Sequence, residues 1–296
     1  MVIDMAASSG DSLYAESLTA GGATFYVHSI DTIVQAKIMQ GNWDFVILQG
    51  QSLELWGSSN PYPSPAAGVL DSLINQYNPC GETMFYMTWG RKNGFGTYTY
   101  ETMDSMIHLN YMNLADTLNA VVSPVSAVWR YIRQMYPSIE LYDPDESHPS
   151  VAGSYAAACS FYTAIFRKDP TFCTYNSTLS AADASNIRSA AKLIVYDSLL
   201  NWHIGEYDSL FVNCTGTGEQ EIEKEQWNIY PNPATTTISF NFKNESNTSI
   251  QLYNSLGLLL KEYDATTQSI NIAHLSNGIY FLKQKGKQKG KIFLKQ

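Results

Sequence analysis

Charge is scarce in this chain. Only 15% of its 296 residues are Asp, Glu, Lys or Arg, and basic residues are the scarcer kind, with 18 Lys and Arg against 27 Asp and Glu. The net charge of -9 argues against a nucleic-acid binder, which needs a basic footprint on the phosphates. Cysteine is also rare. Cys80, Cys159, Cys173 and Cys214 have neither the spacing of a zinc site nor that of a redox Cys-x-x-Cys. Two readings stay open for them: two disulfides in an exported protein, with Cys159–Cys173 the first pair to test, or four buried thiols. No apolar run reaches the roughly 20 residues that span a bilayer as a helix. Met1-Val2-Ile3-Asp4-Met5 has neither the basic region nor the long apolar core of a signal peptide.

What the chain does have is apolar and aromatic. Hydrophobic residues make up 45% and aromatics 13%, with 20 Tyr. That is ample for a core, and the length suits one medium domain plus a smaller one. Aromatic-rich, charge-poor surfaces suit extracellular proteins that meet sugars. The charge is also divided. Residues 1–226 hold 10 basic and 24 acidic groups, whereas 227–296 hold 8 and 3. Two modules with separate jobs follow from this asymmetry. The lysines of the second module alternate with apolar residues (Ile292-Phe293-Leu294-Lys295), as on the wet face of strands.

In the first module, helix and strand patterns alternate. Residues 1–9 read as a helix stopped by Gly10, and Ser12–Leu18 as a strand. A tight loop at Thr19-Ala20-Gly21-Gly22 follows, then a helix at 30–39 and a buried strand within 43–48. Beyond a Pro-rich loop (Pro61, Pro63, Pro65), helices are predicted at 66–77, 100–118, 125–135, 150–167 and 180–202. Short strands are predicted at 84–88, 120–122 and 139–142. This order predicts a three-layer α/β sandwich on a parallel sheet, with functional groups on loops at the carboxyl ends of the strands. The candidates fall on such loops: Gly21 and Gly22, Gln49–Ser52, Trp89–Asn93, and Asp145 with His148. Residues 215–226 read as a linker, and from Trp227 short alternating runs separated by turns predict an all-β sandwich.

Asp145-Glu146-Ser147-His148 lies just before the helix at 150–167. An Asp three residues before a His can supply a base and the group that holds its tautomer. Asp145 could instead cap the helix, as could Ser147.

Two resemblances add to this reading. Tyr230-Pro231-Asn232-Pro233-Ala234, Leu252-Tyr253-Asn254-Ser255-Leu256-Gly257 and Leu275-Ser276-Asn277-Gly278-Ile279-Tyr280 make residues 227–296 resemble the sorting domain of the bacterial type IX secretion system. The resemblance implies a secreted or cell-surface protein of a Bacteroidetes-type bacterium, with that secretion machinery as a partner. Residues 1–214 resemble SGNH/GDSL-type hydrolases, which have a flavodoxin-like fold, through Asp145, His148, Pro149, Ser150 and Gly153. This likeness implies a serine esterase needing no metal or cofactor, with a small ester or acetylated polysaccharide as substrate. His148 would be the base and Asp145 its orienter. Backbone N–H at Gly21 or Gly22 and the amide of Gln51 would form the oxyanion hole, Gln51 standing where the family has Asn. Arg91 and Trp89 would bind substrate.

The family's nucleophile block is the exception. Gly10-Asp11-Ser12-Leu13 spells its motif, but a helix precedes it and a strand follows, the reverse of a nucleophile turn. The expectation is that the chain as given begins after the family's first strand and its nucleophilic Ser. A gap, or abnormal pairing, is then expected between the strand at 12–18 and the one at 43–48. A non-catalytic, carbohydrate-binding or adhesive protein on the same scaffold is the alternative.

Overall fold

A computed structural model describes residues 1–56, 64–208, 229–240, 249–254, 258–285 and 291–296. They group into two compact units. One comprises Met1–Thr24, Ile47–Pro63 and Thr83–Ser209, the other Phe25–Val46, Ser64–Glu82 and Leu210–Gln296. The predicted linker, Pro61, Pro63 and Cys214 lie outside the described residues.

The elements of the α/β region are α1 (Val2–Ser8), α2 (Phe25–Ile30), α3 (Thr32–Met39), β1 (Phe45–Leu48), α4 (Pro65–Tyr77), β2 (Glu82–Tyr86), α5 (Tyr100–Leu118), β3 (Val121–Ser123), α6 (Val125–Met135), α7 (Val151–Phe166) and α8 (Ala181–Ile194). The sheet order is β1-β2-β3, with Met84–Tyr86 parallel to Val121–Ser123. Helices α5 and α7 pack on β3, while α1, α6 and α8 pack on α7. With so many neighbours, α7 buries twelve of its sixteen residues and can carry almost no charge.

Several expectations need correction. The helix predicted at 30–39 is two helices, because Asp31 accepts the N–H of Ile33 and starts α3 afresh. Residues 12–18 are not a strand. They have no assigned secondary structure, and Tyr14 is 74% exposed, since alternation makes a strand only where a neighbouring strand supplies hydrogen bonds. The sheet therefore ends at β1, and the expected gap or abnormal pairing does not arise. The sequence predicts a buried strand within 43–48, but Ile47 of β1 is 43% exposed, as follows from its having β2 as its one paired neighbour among the described residues. No strand forms at 139–142, where Tyr142 and Pro149 make a single bridge. Cys159 and Cys173 are free and buried, not paired, and the disulfide is at Cys80.

The C-terminal strands are β4 (Ile229–Tyr230), β5 (Thr237–Phe240), β6 (Ile250–Asn254), β7 (Leu259–Tyr263), β8 (Ser269–Asn271), β9 (Gly278–Gln284) and β10 (Lys291–Lys295). They form two antiparallel sheets, β10-β9-β6-β7 and β4-β5-β8. Ile238 and Phe240 of one meet Ile250, Leu252, Leu282 and Phe293 of the other in a shared core. Lys295 departs from the wet-face pattern. It is buried, and its Nζ donates to the carbonyl of Gln296 at 2.6 Å. In the same unit Gln76 of α4 accepts the N–H of Ile292 at 3.2 Å.

Candidate active site

The loop between Leu141 and α7 is built from its own hydrogen bonds. Asp143 N–H donates to His148 C=O, and Ser150 N–H to Leu141 C=O, each at 2.9 Å, which closes the loop at its base. Glu146 takes a left-handed turn at φ 60. The helix cap is Ser150, whose Oγ accepts from Gly153 N–H at 3.1 Å, so neither Asp145 nor Ser147 caps it. Freed from capping, Asp145 serves its own loop. Its Oδ1 accepts the N–H of Ser147 at 3.0 Å and of His148 at 2.9 Å, and its Oδ2 lies 2.5 Å from His148 Nδ1.

That geometry pins the imidazole through Nδ1 and turns Nε2 outward. The His148 side chain is 78% exposed. The His148 ring, then the two backbone N–H groups, pull the Asp145 carboxyl down to about 2. A carboxyl lowered by folding stabilises the fold above its unfolded value near 3.8 and ceases to do so as pH falls through about 2. Asp145→Asn is therefore expected to flatten the loss of stability between pH 4 and pH 2, measured as urea midpoints across that window. An unchanged pH dependence would show that the contact is not formed in solution.

The loop after β2 buttresses this pair. Lys92 N–H donates to Glu146 C=O at 2.9 Å, Asn93 Nδ2 to the Glu146 carboxylate at 2.8 Å, and Trp89 Nε1 to Ser147 C=O at 3.1 Å. Trp89 also stacks on the buried Trp129 at 3.9 Å. Behind that loop sits Arg133 of α6. Its Nη1 donates to Tyr142 Oη at 2.9 Å, its Nη2 to Lys92 C=O at 3.0 Å, and its guanidinium lies 3.7 Å over the Tyr100 ring. Tyr142 Oη passes a hydrogen bond on to Gly90 C=O at 2.6 Å. Arg130, one turn earlier, donates to buried Asp104 at 2.6 Å. Burial raises the Asp104 carboxyl, against the pull of Arg130. Sequence reading missed Arg133, Tyr142 and Asp104. The only available signal was the i,i+3 spacing of Arg130 and Arg133, which put two arginines side by side on one helix.

The third loop follows β1. Gln51 Oε1 accepts the N–H of Leu53 at 2.7 Å, and its Nε2 donates to Ser52 Oγ at 3.2 Å, so a local turn uses both ends of the amide. Trp56 meets Phe95 and Tyr98 edge-on, at 5.3 and 4.9 Å between ring centres, which ties this loop to the one bearing Arg91. Arg91 itself lies 4.6 Å over the Phe95 ring. The structure thus links Asp145, His148, Trp89, Arg91 and the Gln51 loop through one set of contacts at the carboxyl end of the sheet. Gly21 and Gly22 form an exposed turn, Gly22 at φ +74, and share no hydrogen bond with the others among the described residues.

Ser12 lies elsewhere. The neighbouring Asp11 accepts from Tyr162 Oη at 3.0 Å and from Lys168 Nζ at 2.5 Å. A rise of ~1.5 Å per residue puts Tyr162 about 16 Å along α7 from the end that follows His148. Among the described residues, His148 Nε2 has no hydroxyl or thiol hydrogen-bonded to it.

Residues 228–295 match the family model of the secretion system C-terminal sorting domain. The C-terminal module is a sorting domain. A chain that carries this sorting domain is secreted or cell-surface, and the type IX secretion machinery is a partner. No helix among the described residues is long and apolar enough to cross a membrane. Comparison with curated proteins finds no match. Among solved structures, a DUF4886 family protein from Bacteroides uniformis is similar at 13% identity and TM-score 0.55, over 68% of this chain and 88% of that one. At this identity the likeness is one of fold. A protein from Slackia heliotrinireducens, classed provisionally as an SGNH hydrolase, is 23% identical over 54% of this chain and 89% of that one, with TM-score 0.45. An acetyl xylan esterase from Geobacillus stearothermophilus is 18% identical over 45% of this chain and 62% of that one, with TM-score 0.28. These last two superpose too loosely to support an argument about this site.

Proposed function

We propose that the body of this exported protein is an ester-hydrolase scaffold for acylated carbohydrate, in which His148 is the base and Asp145 its orienter. The 2.5 Å contact from Asp145 Oδ2 to His148 Nδ1 carries the reading, because it leaves Nε2 facing outward on a loop at the carboxyl end of a parallel sheet. In this reading the base takes a proton from a hydroxyl nucleophile and returns it to the leaving alcohol. The oxyanion takes the N–H of the Gln51 amide that is not spent on Ser52, and a backbone N–H at Gly21 or Gly22 joins it only if that exposed turn closes over bound substrate. Arg91 contacts substrate, and Trp89, already engaged with Trp129 and Ser147, holds the base loop in place. None of these steps calls for a metal or cofactor.

No hydroxyl meets Nε2 among the described residues, so p-nitrophenyl acetate is expected to be hydrolysed at the background rate by the chain, by His148→Ala and by Ser12→Ala alike. Turnover lost in both variants would keep His148 as the base and make Ser12 the nucleophile, against its placement away from the dyad, whereas turnover that survives His148→Ala would overturn this reading. Turnover lost in His148→Ala alone would keep the base and place the nucleophile outside the described residues. The same observation favours a second reading, in which the site binds carbohydrate without turning it over. Saccharide binding that survives His148→Ala, with no turnover of any ester tried, would favour that one.

A further inference from the structure

The five arginines of the chain are Arg91, Arg130, Arg133, Arg167 and Arg188, and all lie among the described residues. Four have polar partners. Arg130 pairs with Asp104, Arg133 binds Tyr142 and Lys92 C=O, Arg167 pairs with Asp208, and Arg188 binds Tyr155 and Asn176. Among the described residues, Arg91 alone has none. Its guanidinium rests on a ring, and its Nε is buried without an acceptor. Arg133 and Arg188 also lack a carboxylate but spend their guanidinium groups on hydroxyl, carbonyl and amide oxygens, so among the described residues Arg91 is the one whose guanidinium has no oxygen partner.

The placement is beside the dyad. Arg91 is next in sequence to Lys92, whose N–H holds Glu146 C=O. Its own position is well defined, since Arg91 N–H points at Met103 Sδ (3.4 Å) and the guanidinium is flattened on Phe95. Two of the three acids in the base loop are already engaged, Asp145 by His148 and Glu146 by Asn93. Trp56 and Tyr98 extend the aromatic surface that begins at Phe95. A planar, permanently charged fork fixed on an aromatic surface suits a carboxylate carried on a sugar ring.

Resting on the reading of this site as a carbohydrate site, we propose that Arg91 is a carboxylate subsite and that the saccharide taken here is acidic, a uronic-acid polymer. The terminal guanidinium nitrogens receive the carboxylate, and the neighbouring rings receive the apolar face of the sugar. The test compares β-1,4-tetramannuronate with β-1,4-mannotetraose, which differ only in carboxylate against hydroxymethyl. Both are titrated onto the full chain and followed by NMR shifts. The acidic tetrasaccharide should bind about tenfold tighter, a ratio of the size one charge-assisted pair supplies. Arg91→Gln should abolish the ratio, Arg91→Lys should keep part of it, and 0.5 M salt should shrink it. Equal binding of the two sugars, or a ratio that survives Arg91→Gln, overturns the carboxylate subsite while leaving a neutral saccharide site standing. Binding of neither sugar overturns the subsite as well. The ester assay is independent of all three outcomes and judges the hydrolase reading separately.

Discussion

Gly153→Ala is expected to destabilise the α/β region by about 3 kcal/mol, with a fall in Tm of about 10 °C. A β-carbon at this position would stand 2.2 Å from Leu141 C=O and 2.5 Å from the Trp129 ring. Neither neighbour yields cheaply. The carbonyl accepts Ser150 N–H at the base of the dyad loop, and Trp129 is fully buried between Trp89 and Tyr142. To relieve the clash α7 must move outward at its first turn, which is also where the Asp145–His148 loop is anchored. Urea unfolding of wild type and variant measures the loss. A change under 0.5 kcal/mol would mean that α7 does not approach Leu141 this closely.

Arg133→Met is expected to cost about 2–3 kcal/mol and to loosen the site more than its size suggests. Methionine keeps much of the apolar stem but offers nothing to Lys92 C=O, Tyr142 Oη or the face of Tyr100. The loop after β2 would then lose its hydrogen bond to Arg133 of α6, and that loop holds Glu146, Ser147 and through them the dyad. Faster hydrogen exchange is therefore expected at Lys92 N–H and at the Asp145-bound N–H of Ser147 and His148, with no matching increase in α8. Arg133→Lys restores the charge without the fork and should rescue only part of this protection. Exchange that rises evenly across the whole region would show general destabilisation in place of a positioning role.

Both predictions rest on residues whose sequence context says little. Gly153 follows a Ser and opens an apolar run, so its resemblance to the hydrolase pattern could be noted, but the reason for a glycine there lies in Leu141 and Trp129, which the chain brings in from elsewhere. Arg133 reads in sequence as one more charge on an amphipathic helix. Its role depends on Lys92 and Tyr142, from two other loops. Helices α5 and α6 match the predicted bounds because their apolar spacing is local and unambiguous. Residues 12–18 show the opposite case. They too alternate, yet β6 has β7 and β9 on either side, and no strand lies beside 12–18 among the described residues. Propensity in a strand is a statement about fit to a sheet, and the sheet is not local.

The Asp-x-x-His spacing determined by itself that a base and its orienter can meet, because three residues of loop are enough to fold a carboxylate back onto an imidazole, and the 2.5 Å contact is that local geometry realised. The alternating runs and their turns likewise determined the all-β module, while its likeness to a sorting domain rested on the motifs at 230–234, 252–257 and 275–280. Tertiary structure alone decided the rest. It put the Gly-Asp-Ser motif at the far end of α7 from His148, because Asp11 is claimed by Tyr162 and Lys168. It also gave every arginine but Arg91 an oxygen partner among the described residues. Which charges meet and which are left facing a site depends on contacts between residues tens of positions apart, and no window of sequence contains both ends of such a contact.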